Sequence, residues 1–397
     1  MNPRPALELA GIFRHSGPSY RARHRLPVEH LRVMRAIETC RTATLGGHVE
    51  RCSQCAFERI AYNSCRNRHC PKCQTLAKEQ WLEARKRDLL PIAYFHLVFT
   101  IPPAIAAIAL QNKKALFQIL FRASAGTLLT IAADPRHLGA EVGFFSILHT
   151  WGQNLLFHPH IHAVVTGGGL SPEGRWISSR ANFLVSVRVL SRLFRRLFLA
   201  ALEKAYRDDE LHFHGSLESI RDPQSFAAHV EPTRHCEWVV YAKPPFGGPE
   251  QVIEYLGRYT HRVAISNQRL EAFSDGQVTF QYKDYRSSEP QRSRSMTLSE
   301  DEFIRRFLLH ILPPGFQRIR HYGLLSNRFR ARNLARCREL LLGARSELLP
   351  DPDQLETIGP ALVEPAARCP RCQSGVMVRV SELAPLRWPA AAVLDNS

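Results

Sequence analysis

The stretch 157–170 reads FHPHIHAVVTGGGL and decides how the rest of the chain is interpreted. Side chains at i, i+2 and i+4 of a β-strand share one face of the sheet. His158, His160 and His162 therefore lie on one face if this stretch is a strand. A lone histidine is more often a hydrogen-bonded core residue, but alternating histidines at the edge of an apolar strand indicate a metal site formed by His160 and His162. An HxH pair also occurs in hydrolases, so on its own it indicates a metal ion and not a reaction.

Strand-like and helix-like segments alternate on both sides of this stretch. Buried apolar runs predict strands, and apolar residues at helical spacing predict helices. An Asp275-Gly276 pair predicts a hairpin turn, and Gly167 to Gly169 predict another turn. Together these elements indicate an α+β or α/β domain. The other predicted strands are 94–103, 143–149, 236–243 and two within 263–285, and the predicted helices are 26–39, 76–90, 104–133, 187–206, 251–262 and 300–312.

Two tyrosines, Tyr255 and Tyr259, lie four residues apart in the predicted helix 251–262 and would share one of its faces. From spacing alone, two core aromatics are the better interpretation. The nearby histidine strand and the basic charge of the chain favour a catalytic role for the two tyrosines instead. A phenol with a pKa of about 10 is a poor nucleophile unless a cation polarises the target phosphate. Attack by tyrosine would conserve the phosphodiester energy and permit rejoining, so this combination predicts DNA strand transfer.

Six of the ten cysteines fall between residues 40 and 73, and we expect no secretion signal, so metal binding is favoured over disulfides. Two CxxC pairs predict one structural zinc ion, whose four sulfur ligands would leave no position for a reactive water. The expected ligands are Cys52, Cys55, Cys70 and Cys73. Residues that could replace a ligand or form a second site are Cys40, His48, Cys65 and His69. A third pair, Cys369 and Cys372, stands alone, and the sequence leaves its role open.

The chain is strongly basic, with 53 Lys and Arg against 36 Asp and Glu, a net charge of +17 and a pI of about 9.8. This balance favours a polyanionic partner, either nucleic acid or an anionic membrane. No apolar run reaches the roughly 18 residues of a membrane span, so we expect a cytoplasmic DNA-binding protein without membrane association. The cations expected to contact DNA are Arg66, Arg68, Lys72, Arg258, Arg262, and Arg328 and Arg330 of the arginine-rich segment 318–345.

Five segments, taken together and in order, resemble one known family. They are TLGGHVERC, YNSCRNRHCPKCQ, YFHLVFTIP, HPHIHAVVTGGGL and YLGRYTHRVAISNQRL. This series is similar to the insertion sequence ninety-one family of rolling-circle transposases. The likeness extends from about Leu26 to about Arg330.

The resemblance implies an α+β fold with an HUH nuclease core, named for its His-hydrophobic-His motif. Such a core is a central antiparallel sheet flanked by helices, here preceded by a small zinc-binding domain. The resemblance further implies that His160 and His162 bind a divalent ion, for which we expect Mg²⁺ or Mn²⁺, and that Tyr255 and Tyr259 are catalytic. It does not fix the third metal ligand. The candidates are His158, Gln153 and His149, and His158 is the expected one.

The predicted function is rolling-circle transposition, in which single-stranded DNA at the element ends and the target is cut and rejoined through a 5′-phosphotyrosine. Two alternatives stay open. A zinc-dependent DNA-binding regulator without catalysis would have no use for the histidines and tyrosines. A metal-dependent hydrolase would use the HxH pair with water and would form no covalent adduct. The oligomeric state, the DNA sequences and the tyrosine that acts first are not predicted.

The expected domains follow from these motifs. They are a basic arm at 1–25, a zinc-binding domain at 26–90, the two-tyrosine catalytic domain at 91–330, and an arginine-rich segment with a loose tail at 331–397.

Overall fold

The fold is built around the strand β5 (Phe157–Leu170), which contains the alternating histidines. The computed structural model describes residues 7–180, 184–243, 251–252, 257, 263–284, 293–343 and 367–386. In these ranges β5 is an inner strand of a six-stranded sheet in which every pairing is antiparallel. The remaining strands of this sheet are β3 (Tyr94–Thr100), β4 (Glu141–Trp151), β6 (Trp176–Ser178), β7 (Val240–Lys243) and β11 (Ile319–Gly323).

The order of the sheet is β11-β4-β5-β3-β7, and β6 pairs with the end of β5. This order places the histidine strand between β4 and β3. Strand β4 is buried at every position after Glu141, because helices cover both faces of the sheet. The α+β class and the central antiparallel sheet are therefore confirmed, with the histidines on an inner strand.

One face of the sheet packs against a layer of apolar helices. Phe99 of β3, Phe144 of β4 and Val165 of β5 belong to the same hydrophobic cluster as the buried residues of this layer. By length and composition α5 could span a membrane, but 67% of the apolar window is buried in this core. The helices of the layer are α4 (Pro103–Gln111), α5 (Lys113–Ala133), α6 (Val187–Arg207) and α7 (Pro223–His235).

The opposite face carries the histidines and a second hydrophobic cluster. Here Val164 of β5 and Ile147 of β4 share a cluster with Leu334, and Val252 belongs to it as well. Leu334 lies on α9 (Arg330–Leu342), and Trp81 of α3 (Pro71–Lys86) packs against the cluster. The histidine face is therefore partly covered, and the segment that leads toward Tyr255 contributes to its cover through Val252.

A third layer of structure lies around the N-terminal helices α1 (Leu9–Arg23) and α2 (Val28–Thr39). Their apolar sides form one cluster with α8 (Glu300–Leu308) and a three-stranded meander. In this meander Asp275 and Gly276 form the predicted turn, with positive φ angles of 52° and 69°. The expectation of a basic arm at 1–25 is therefore wrong for residues 9–23, because Leu9, Ile12 and Phe13 are completely buried. The meander strands are β8 (Leu270–Ser274), β9 (Gln277–Lys283) and β10 (Ser293–Ser299).

Two further predictions are corrected. The glycines 167–169 do not form a turn but continue β5, because they allow neighbouring carbonyls to approach closely. A Cβ at Gly169 would lie 2.3 Å from the Glu141 oxygen. Residues 367–386, which lie in the expected loose tail, are folded as well. Strand β12 (Met377–Leu383) pairs with β1 (Gly47–Cys52), which also pairs with β2 (Glu58–Tyr62).

Candidate metal centre and cysteine clusters

Three imidazoles converge on the histidine face of the central sheet. His149, His160 and His162 each offer a nitrogen, and these nitrogens lie within 4.8 Å of one another. The two Nε2 atoms of His160 and His162 are 3.1 Å apart. Two nitrogens bonded to one cation at about 2.1 Å, about 90° apart, would be separated by about 3.0 Å. The cluster therefore has the dimensions of a metal site.

Hydrogen bonds orient the two rings of the HxH pair. The Nδ1 of His160 lies 2.7 Å from the carbonyl oxygen of His158, and because a carbonyl only accepts, this Nδ1 carries the proton. In the neutral ring the Nε2 of His160 then keeps its lone pair. The Nδ1 of His162 lies 2.8 Å from the Nε2 of His96. If the Nδ1 of His162 donates to His96, the Nε2 of His162 keeps its lone pair in the same way. Metal-ligating histidines use this arrangement.

His96 is buried beside His162. Burial, with a smaller effect of Lys243, lowers the pKa of His96 to about 3, so its ring stays neutral and can accept a hydrogen bond. The rings of His96 and His162 are stacked with a tilt of only 13°. His96 lies on β3, two residues before Val98, which pairs with His162. The sequence analysis did not identify this residue, since only the strand register brings it next to the HxH pair.

The third imidazole belongs to His149 and not to His158, which corrects the expected ligand set. Strand pairing places His149 directly opposite His160, so both side chains point to the same face. His149 is buried, and its ring stacks on Trp151 with 4.8 Å between centroids. His158 is exposed and lies outside the group. The candidate Gln153 follows the end of β4, outside the group as well.

The tyrosine helix is only partly within the described residues. Tyr255 and Tyr259 lie outside them, as do Arg258 and Arg262. Residues 251, 252 and 257 are helical, and Val252 and Gly257 are buried. The position of the two hydroxyls relative to the histidines stays a prediction.

The cysteines form two clusters of four, and the predicted single set is corrected. The four Sγ atoms of each cluster lie within 4.8 Å of one another. The first cluster has Sγ–Sγ distances of 3.5 Å from Cys73 to Cys40 and to Cys65. Cys40 and Cys65 take the place of the expected pair: Cys40 follows the end of α2, and Cys65 lies in the loop between β2 and α3, next to Cys70 at the start of α3. The first cluster is Cys40, Cys65, Cys70 and Cys73, and the second is Cys52, Cys55, Cys369 and Cys372.

The cations expected to contact DNA differ in their surroundings. Arg66 and Arg328 are exposed. Arg68 donates to the carbonyl oxygen of Phe316 at 2.6 Å, which connects the first cysteine cluster to the central domain. Two others are engaged in ion pairs: Lys72 lies 2.6 Å from Glu8, and Arg330 lies 3.7 Å from Asp88.

Comparison with known proteins agrees with this arrangement. Residues 143–333 match the family model described as "Putative transposase", and residues 12–101 match the "Transposase zinc-binding domain" of IS91 type. The first match contains His149, His160 and His162, and the second contains the whole of the first cysteine cluster.

Two relatives cover most of the chain. The "Putative transposase y4qJ" of Sinorhizobium fredii (strain NBRC 101917 / NGR234) is 56% identical over 382 residues, which are 95% of this chain and 96% of the relative. The "Transposase for insertion sequence element IS801" of Pseudomonas savastanoi pv. phaseolicola is 30% identical over 305 residues, 76% of this chain and 72% of the relative.

Among solved structures, the conjugative relaxase TrwC complexed with a 27-mer DNA matches with 16% sequence identity, 62% coverage of this chain and 73% of that chain. Its TM-score is only 0.24, so no part of the assignment depends on it. The two family matches and the two transposase relatives are sufficient: the chain belongs to the transposases of the insertion sequence ninety-one (IS91) family.

Proposed function

We propose that this transposase cuts and rejoins single-stranded DNA by transesterification, with tyrosine as the nucleophile, in rolling-circle transposition. The observation that carries the proposal is the cluster of His149, His160 and His162 on the inner strands of the sheet. A regulator without catalysis would not need three converging imidazoles whose ring nitrogens lie within 4.8 Å of one another. The HUH class of the core is part of this proposal.

The histidine cluster is the proposed site of a divalent ion. A donor set of three imidazoles favours a transition-metal ion over Mg²⁺, so Mn²⁺ is the better of the two expected ions. A bound ion would act there as a Lewis acid on the scissile phosphate and would stabilise the charge that develops in the transition state. The protein's own contribution is to orient His160 through the His158 carbonyl and His162 through His96.

Tyr255 and Tyr259 are the proposed nucleophiles. The phenolic oxygen of one tyrosine attacks the phosphorus, the bond to the 3′ oxygen breaks, the phenolic proton passes to solvent or a base, and the leaving 3′ oxygen takes up a proton in turn. The products are a 5′-phosphotyrosine and a free 3′-hydroxyl, so the number of phosphodiester linkages is unchanged and rejoining needs no ATP. Val252, three residues before Tyr255, belongs to the hydrophobic cluster of Val164, which lies two residues after His162 on the same face. This neighbourhood supports the assignment.

The proposed partner is single-stranded DNA at the element ends and at the target. The net charge of +17 supplies long-range attraction, and the exposed Arg66 and Arg328 are the best placed of the expected DNA contacts. The ion-paired Lys72 and Arg330 would first have to exchange a carboxylate for a phosphate.

We expect the affinity for single-stranded DNA to fall steeply with salt. Each neutralised phosphate contributes a slope of about −0.7 to the plot of log K against log salt for single strands. Fluorescence anisotropy with a labelled oligonucleotide between about 50 and 200 mM salt would measure it. The double variant Arg66→Ala/Arg328→Ala should reduce the slope by the value of one to two contacts. A flat response in the wild-type protein would contradict a phosphate-binding surface and would favour a hydrolase of small substrates.

We expect His96 to act as a positioning residue for His162. Loss of such a hydrogen-bond partner typically lowers metal affinity or activity by about 10–100-fold, which corresponds to about 1–3 kcal/mol. His96→Leu should raise the Mn²⁺ concentration for half-maximal cleavage accordingly, whereas His96→Gln, which keeps an acceptor, should raise it less. A leucine variant with unchanged Mn²⁺ dependence and normal stability would show that His96 only fills space.

End-group analysis of a cleaved oligonucleotide tests the reaction class. Transesterification predicts a free 3′-hydroxyl on one product and a 5′ end blocked by protein on the other. A metal-dependent hydrolase would release a free 5′-phosphate instead, and a regulator would leave the oligonucleotide intact. Either of these outcomes would overturn the proposed function.

A further inference from the structure

We propose a second zinc site, formed by Cys52, Cys55, Cys369 and Cys372, that fastens the C-terminal segment 367–386 to the N-terminal zinc-binding unit. This site is distinct from the first cluster, which lies completely within the matched zinc-binding domain. Two of its four ligands lie more than 250 residues beyond the end of that match, at residue 101. It does not depend on the proposed function of the histidine cluster.

The sulfur geometry fits one tetrahedral zinc ion. Cys52 and Cys372 have an Sγ–Sγ distance of 3.6 Å, and so do Cys55 and Cys369. With zinc–sulfur bonds of about 2.3 Å, the edge of a tetrahedron of sulfurs is about 3.8 Å. A disulfide would need about 2.05 Å. The distances are therefore those of four thiolates around an ion and not of two oxidised pairs.

Each CxxC pair has the backbone arrangement that favours thiolates. In the first pair, the amides of Gln54 and Cys55 each donate to the Cys52 sulfur at 3.4 Å. In the second pair, the amide of Arg371 donates to Cys369 and that of Gly375 to Cys372, again at 3.4 Å. Donors aimed at sulfur stabilise its anionic form. Each of the two sequence-distant loops thus directs two backbone amides at its cysteine sulfurs.

Gly375 shows how closely the two loops approach. A Cβ at this position would lie 2.5 Å from the Cys52 sulfur and 3.1 Å from the Cβ of Gln54. A backbone hydrogen bond from the Ser53 amide to the Val376 carbonyl at 2.9 Å joins the two loops, and one from the Cys369 amide to the Gly375 carbonyl at 2.8 Å closes the second loop on itself. Because glycine has no side chain at this position, the second loop can lie this close to the Cys52 sulfur.

Apolar burial alone does not explain why the segment 367–386 stays attached. Only Cys369, Gly375 and Met377 are buried among its residues, and Val378 and Val380 of β12 are 49% and 45% exposed. A strand with so little buried surface is marginal without additional constraint. Small units of this kind are usually held by a metal or by disulfides. A metal at the four sulfurs would supply the missing constraint and would connect the two ends of the chain.

Zinc analysis of the purified full-length protein tests the proposal. We expect Cys372→Ser to lose one zinc equivalent per chain relative to wild type, because one missing ligand opens the site. Cys65→Ser should lose one from the first cluster, and the double variant should lose two. The control Cys236→Ser removes an exposed cysteine outside both clusters and should lose none. A Cys372→Ser protein with the full zinc content would overturn the proposal, as would a double variant that loses only one equivalent.

Alkylation of the wild-type protein provides a measurement that does not depend on the folding of a variant. The alkylating reagent should modify exposed Cys236 rapidly, while Cys55 and Cys372, although only half-buried, should be protected until a chelator is added. Mass spectrometry of the peptides would identify the modified residues. Equal labelling of Cys236 and Cys372 before chelation would overturn the site. Recovery of Cys372 in a disulfide would overturn it as well.

Discussion

Replacing His160 or His162 by alanine is expected to abolish cleavage of single-stranded DNA while leaving DNA affinity nearly unchanged. A Lewis-acidic ion contributes several kcal/mol of transition-state stabilisation, and a loss of about 4 kcal/mol corresponds to a rate reduction of about 10³-fold. Affinity should persist because it comes from many phosphate contacts distributed over the basic surface. The measurement is single-turnover cleavage of a labelled oligonucleotide at saturating protein, with anisotropy for binding.

The structure adds a third variant and a matched control to this experiment. His149→Ala should reduce cleavage as severely as the other two, since its ring belongs to the same cluster. His158→Ala removes an imidazole from the same strand, but that side chain is exposed and lies outside the cluster. We therefore expect nearly normal cleavage from it. The account of the metal site is wrong if His158→Ala is inactive and His149→Ala is active. Parallel loss of binding and cleavage would indicate a folding role for the histidines.

The shared face of the HxH pair can be predicted from the sequence because the side chains of a strand repeat strictly every two residues. Once FHPHIHAVV is a strand, His160 and His162 must share a face. The third imidazole of the cluster cannot be predicted in this way. Which residue of β4 lies opposite His160 depends on register, and a shift by one residue would have turned His149 to the other face. The same limitation explains why His96 was missed.

The cysteines show a second limitation. The paired CxxC spacing correctly indicated a zinc-binding domain, but spacing cannot indicate which pairs meet. Cys52 and Cys55 lie with Cys369 and Cys372, more than 300 residues away in sequence. That contact depends on the pairing of β12 with β1. The N-terminal helix α1 is hidden for a different reason: its arginines and its proline, Pro18, obscure the apolar side formed by Leu9, Ile12 and Phe13.

Replacing both tyrosines by phenylalanine is expected to eliminate covalent attachment to DNA completely. Phenylalanine keeps the ring and its packing and removes only the hydroxyl. The double variant Tyr255→Phe/Tyr259→Phe should therefore fold, retain its zinc and bind DNA with normal affinity. If the two tyrosines were only core residues, the change would be nearly silent in every assay.

Each single variant should differ from the double variant. With one tyrosine left, the enzyme can still cut once, but no second phenol is present to accept the next 5′ end. We expect nicking with impaired strand transfer. Tyr241→Phe is the matched control, because this tyrosine lies on β7 of the same sheet and is 52% exposed. Loss of the adduct in that control alone would place the nucleophile on β7.

The central claim is that a tyrosine of this chain becomes joined to the 5′ end of cleaved DNA. The most direct measurement is incubation of the full-length protein with a 3′-end-labelled single-stranded oligonucleotide and Mn²⁺, because the 3′ fragment is the one that becomes joined to tyrosine, followed by a denaturing gel and mass spectrometry of the labelled peptide. The account predicts a shifted, nuclease-sensitive band in the wild-type protein, with the nucleotide on the peptide that contains Tyr255 and Tyr259, and no band in the double phenylalanine variant. A band of undiminished intensity in that variant, or cleavage by the wild-type protein without any adduct, would contradict it.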